Sequence, residues 1–151
     1  MRLWTRVKNW LPAVAWACLI SGLSTDAFSS EHTSRLIIPI LHWMFPHAST
    51  DTLEVLHAVI RKSAHFTEYA ILGALLFRAF RADAPIRWRL RWAVYSFVAA
   101  GSWALLDEFH QTLTRTRGGS VWDVLLDSSG ALCMLITIAV ISRNSSNPIR
   151  P

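Results

Sequence analysis

VWDVLLDSSGALCMLITIAVI, residues 121–141, is apolar except in its first third. A helix crosses a bilayer with about 20 mostly apolar residues, and this run has that length. Three further runs share its character: WLPAVAWACLISGL (10–23), AHFTEYAILGALLFRAF (64–80) and WAVYSFVAAGSWALL (92–106). Together they predict an all-α polytopic membrane protein. Four transmembrane helices form a bundle, spanning about residues 9–25, 62–80, 92–112 and 121–142. Trp near several run ends and Gly inside the runs fit membrane spans. MRLWTRVK followed by a short apolar stretch also describes a signal peptide. Ser24, Thr25, Asp26 and Ala27 make no small-x-small cleavage site, so an uncleaved helix is expected.

The composition agrees. Of 151 residues, 52% are hydrophobic and 17% charged, against about 25% charged in a soluble domain. A disordered chain needs the opposite balance and is excluded. Cys18 and Cys133 sit in apolar runs and are too few for a disulfide scaffold. The length predicts one domain, residues 1–143, followed by a mobile polar tail at 144–151.

The long connection before the second span is not featureless. LIIPILHWMF (36–45) is apolar, too short to span and interrupted by Pro39, which suggests an interfacial or re-entrant segment. Asp51 and Glu54 have capping-box spacing. Leu53, Leu56, His57 and Ile60 then follow at helical spacing. The region 34–61 is thus expected to be exoplasmic and amphipathic, either lying on the surface or running on into the second span. His32, His42, His47 and His57 are expected to face water or headgroups, with no role assigned.

Charge sets the orientation. Arg2, Arg6, Lys8, Arg78, Arg81, Arg87, Arg89, Arg91, Arg143 and Arg150, ten of the fifteen basic residues, fall on one side of the four-span arrangement. The cytoplasmic side keeps the basic excess. Both termini are therefore expected in the cytoplasm, with the protein multi-pass in the membrane. The arginines at 78–91 could suit nucleic acid, but Trp88 and Trp92 fit an interfacial belt and no nucleic-acid partner is expected.

The polar residues interrupting the runs converge at the other end. Lys62, His65, Glu68 and Tyr69 lie at the outer end of the second span. Asp107, Glu108, His110 and Gln111 end the third. Arg115, Arg117, Ser120 and Asp123 open the fourth, with Asp127 a turn deeper and Asp26 ending the first. At about 100° per residue, Lys62, His65 and Tyr69 share a stripe, as do Asp107, His110 and Gln111, and as do Asp123 and Asp127. Glu108 points away from its stripe. Ionisable residues at membrane depth usually face the bundle interior and mark function.

Several chemistries fit such a pocket. His65 with Glu68, and Asp107 with His110, are one turn apart and could hold a divalent metal, though no HExxH or CxxC is present and no cofactor is expected. Glu68, Asp107, Glu108 and His110 could do acid–base work, as in a hydrolase or transferase, with His110 and Asp107 the best dyad. Lys62, Arg115 and Arg117 could grip an anion at headgroup level. Alternatively, Asp107 with Arg117, and Glu68 with Lys62, are ion pairs that cement a structural or assembly subunit.

These residues also carry a resemblance. Lys62, His65, Phe66, Tyr69, Leu72 and Gly73; Asp107, Glu108, His110 and Gln111; Arg117, Ser120 and Asp123; and Asp127 with Gly130 resemble the motifs of the VanZ-like family of bacterial membrane proteins. The resemblance implies membrane location, a four-helix core and weight on the motif residues. Asp127 departs from it, standing where many members have Asn. The family's namesake acts in teicoplanin resistance, which makes glycopeptide resistance or envelope stress a setting without assigning it to this chain. The expected partners are the bilayer and an envelope lipid or lipid-linked ligand. That ligand would be bound by Lys62, His65, Tyr69, Gln111, Arg117, Ser120, Asp123 and Asp127. No oligomeric state is expected from the sequence.

Overall fold

The computed structural model describes residues 3–25, 30–112 and 120–144. Among them the protein is all-α, with five helices and no strand: α1 (Leu3–Leu23), α2 (Ser30–Met44), α3 (Thr50–Arg81), α4 (Leu90–Thr112) and α5 (Val121–Asn144). Asp26, Arg115 and Arg117 lie outside the described residues, as does the tail from residue 145.

The central element is α3, which packs against each of the other four helices. Small residues set the closest approach. A Cβ on Gly73 would sit 3.1 Å from the Ala131 Cα, and one on Gly130 would collide with the Phe66 carbonyl. The backbones of α3 and α5 therefore nearly touch, as small residues permit in membrane bundles. Ala13, Ala17, Ile20, Tyr69, Leu72, Ala100, Ala104 and Ala131 close the core between α1, α3, α4 and α5. Phe77, Trp92 and Leu135 form a second cluster nearer the other end.

Around this thin core the helix flanks are apolar and exposed, including Leu19, Val98, Leu105, Leu132, Ile136 and Val140. The clearest case is α5. Its most apolar 18-residue window has a mean hydropathy of 2.2, yet only 28% of that window is buried. The core helix of a soluble protein would be mostly buried. By length and composition, α5 is the one helix among the described residues whose apolar stretch alone suffices to cross a membrane. The other long helices carry charge within their length, such as Arg61, Lys62 and Glu68 in α3.

Of the two courses open to the amphipathic stretch, it runs on into the apolar run after it as one continuous 32-residue helix, α3. Two local readings change. The N-cap of α3 is Ser49, whose hydroxyl accepts from the Thr52 N–H at 3.3 Å, and Asp51 sits in the first turn rather than at the cap. There its charge still favours the helix start. Pro39 does not break α2, which runs through it. The proline removes one N–H and its bond back to the Arg35 carbonyl, and the turns on either side hold.

His57 is buried, not turned to water. Its Nε2 lies 3.2 Å from Thr33 Oγ1, tying α3 to α2. Burial, and then nearby Arg61, hold the imidazole below its usual 6.5. The docked state therefore favours the neutral ring. Docking of α2 should be unaffected well above pH 6.5, weaken as pH falls below it, and lose nothing further once pH is under the lowered value. Hydrogen exchange of α2 amides, corrected for intrinsic rates, should rise across that window, and His57→Gln should flatten the response. An unchanged response in His57→Gln would place the titration elsewhere.

Candidate functional site

Polar side chains from α1, α3, α4 and α5 meet at one end of the bundle. On α3, Lys62, His65 and Tyr69 follow at i, i+3 and i+7, one stripe of the helix. They face the start of α5, where Lys62 Nζ lies 3.2 Å from Asp123 Oδ1 and His65 Nδ1 lies 3.7 Å from Asp127 Oδ1. The first pair is well exposed; in water such a pair contributes about 0–1 kcal/mol. The second is within ion-pair range but beyond hydrogen-bond distance. Asp127 is 1% exposed, and its Oδ1 has no hydrogen-bond partner among the described residues.

The end of α4 supplies three buried groups: Asp107, Glu108 and Gln111. Asp107 Oδ2 accepts from Ser24 Oγ at 2.6 Å and from Gln111 Nε2 at 3.3 Å. This joins the end of α1 to α4 through a charged acceptor, the stronger kind of hydrogen bond. Glu108 Oε2 accepts the Ser120 N–H at 2.7 Å. A carboxylate from one helix thus sits at the start of the next, where the helix dipole favours negative charge. Both acids have a positioning job within the bundle.

Between these groups is a cavity of about 80 Å³, with Arg61, Lys62, His65, Glu108, Gln111, Asp123 and Asp127 in its lining. Ligand sites for drug-sized molecules usually measure about 300–1,000 Å³. This one accommodates a compact polar group, not a whole ligand. Tyr69 is fully buried, and its hydroxyl has no hydrogen-bond partner among the described residues.

The placement differs from the helical stripe in one respect. Glu108 is buried and His110 is exposed, the reverse of the expectation. The buried face of α4 is set by Ala100 and Ala104, both 0% exposed, and it extends towards Glu108. The Asp107–His110 dyad therefore does not share one buried site. Glu68 is half-buried, and its carbonyl accepts from Trp16 Nε1 at 2.9 Å. Among the described residues no three His, Cys, Asp or Glu side chains are grouped to hold a metal ion. Ser24 and Trp16 had no signal in the sequence, because their partners are far away in the chain.

A family model described as VanZ/LLP1 matches residues 9–142. The chain belongs to the VanZ/LLP1 family. No curated protein and no solved structure matches it. The matched stretch holds every described group at this site. In this VanZ/LLP1 protein, α3, α4 and α5 bring Lys62, His65, Glu108, Gln111, Asp123 and Asp127 around one cavity. Asp107 stands behind it.

Proposed function

We propose that this VanZ/LLP1 protein spans the bacterial inner membrane four times, through α1, α3, α4 and α5. Both termini are cytoplasmic. Its outward-facing cavity binds the polar head of an envelope lipid or lipid-linked ligand. The observation that carries the reading is the gathering of buried polar groups at one end of a bundle with exposed apolar flanks. At about 1.5 Å per residue α3 is near 48 Å long, against a hydrocarbon core of about 30 Å. Its first third, with α2, then stands at the outer interface. There Leu36, Ile40 and Trp43, all strongly exposed, meet lipid.

The small cavity takes only the head, while the rest of the ligand lies along apolar helix surface. His65 with Asp127 and Lys62 with Asp123 supply donors and acceptors for that head. We further propose that Arg117, which lies outside the described residues, adds a cation to it. A second reading rests on the His65–Asp127 pair. An imidazole and a buried carboxylate bordering one cavity can move a proton, as a hydrolase or transferase requires.

Native mass spectrometry of the full chain in mild detergent tests the binding. A lipid or lipid-linked species should stay with the wild type and be depleted from His65→Ala and Asp127→Asn. Equal retention in all three would overturn the proposal.

A further inference from the structure

The opposite end of the bundle holds a second polar cavity. It measures about 650 Å³ and is lined by Arg6 of α1, Arg81 at the end of α3 and Arg91 at the start of α4. Trp10 and Trp92 supply aromatic wall, and among the described residues Asp83 is the one carboxylate on it. Three helices thus each deliver one guanidinium to one space.

Orientation by positive charge needs basic residues only near the span ends. It does not require them to share a cavity, and Arg87, Arg89 and Arg143 do not line this one. Two details go further. Arg81 Nε is buried with no hydrogen-bond partner among the described residues, and a buried donor without a partner is costly. Arg91 lies over the Trp92 ring, its guanidinium carbon 5.8 Å from the ring centroid. The chain turns beside them at Ala82, whose φ of 49° lies in the region that favours glycine. This turn separates Arg81 from Asp83.

From this we infer an anion site for a phosphate group, held between Arg6, Arg81 and Arg91 and flanked by tryptophan. A guanidinium fork matches phosphate oxygens two at a time, and the net positive lining leaves a charge to be met. The volume, within the usual ligand range of about 300–1,000 Å³, admits a phosphate and the group esterified to it. The site is independent of the outward cavity.

Full-length protein, stripped of lipid in neutral detergent, should be titrated with short-chain phosphatidylglycerol and separately with inorganic phosphate, reading bound mass and thermal midpoint. At least one should bind the wild type. Binding of the lipid alone assigns a headgroup; binding of inorganic phosphate assigns a soluble phosphate; both support the site. Arg81→Gln with Arg91→Gln should weaken binding by about tenfold or more, as expected for charged hydrogen bonds. Arg87→Gln with Arg143→Gln should leave it unchanged. Arg6 is exposed and its replacement leaves the core intact, so Arg6→Gln keeps the test open if the double variant does not fold; it should weaken binding several-fold. The proposal is overturned if neither probe binds, if the Arg87/Arg143 variant loses as much as the Arg81/Arg91 variant, or if Arg6→Gln binds as the wild type does.

Discussion

Gly130→Ala is expected to destabilise the protein by about 3 kcal/mol, the upper end of overpacking costs. A Cβ there would collide with the Phe66 carbonyl oxygen and lie 3.0 Å from the carbonyl carbon and 3.2 Å from the Phe66 Cα. Every obstacle is backbone. No side chain can turn aside, so α3 and α5 must separate, and this is the most extensive helix pair in the fold. Gly73→Ala meets Ala131 at 3.1–3.3 Å. A shift of a few tenths of an ångström relieves it, and the cost should be nearer 1 kcal/mol. Gly101→Ala, 3.6 Å from Ser128 Oγ, is ordinary contact and should be close to neutral. Unfolding in detergent by denaturant or heat checks the order of the three. A Gly130→Ala protein as stable as Gly101→Ala would mean that α3 and α5 do not approach this closely.

Asp107→Ala carries the second large effect, also about 3 kcal/mol. It leaves the Ser24 hydroxyl and the Gln111 amide facing an emptied buried site, and a buried hydrogen bond to a charged group is worth about 1.5–3 kcal/mol. Ser24→Ala should cost less, about 1 kcal/mol. If the 2.6 Å bond between them is what joins α1 to α4, the double variant should be less damaged than the sum, with a coupling of about 1 kcal/mol. Additive losses would show that Asp107 acts through something other than Ser24. Asp107→Asn keeps an acceptor for Ser24 and should retain most of the stability.

Much of the architecture was legible because hydropathy is a local property. The run at 121–141 is α5, and the runs at 10–23 and 92–106 fall within α1 and α4. Details that depend on one turn were less legible. Ser49 took the cap that the Asp51–Glu54 spacing suggested, because its hydroxyl precedes the first turn and accepts the Thr52 N–H, while Asp51 lies inside that turn. Pro39 reads as a break, but loss of a single hydrogen bond does not stop α2.

The site divides in the same way. Lys62, His65, Asp123 and Asp127 share one cavity, since spacing along a helix fixes which residues share a face. Glu108 is buried and His110 exposed because the close-packed alanines, Ala100 and Ala104, set the buried face of α4, and the polar residues follow it. Ser24 and Asp107 are 83 residues apart, and no periodicity links them. The two free cysteines, Cys18 and Cys133, are exposed on apolar helices.

In the proposed orientation the polar cavity opens to the outside and the arginine-rich end faces the cytoplasm. Topology reporters fused after Asp83 and after Thr116 test it most directly. Cytoplasmic activity at Asp83 and exoplasmic activity at Thr116 are expected. The reverse pattern, or the same side for both, would contradict it.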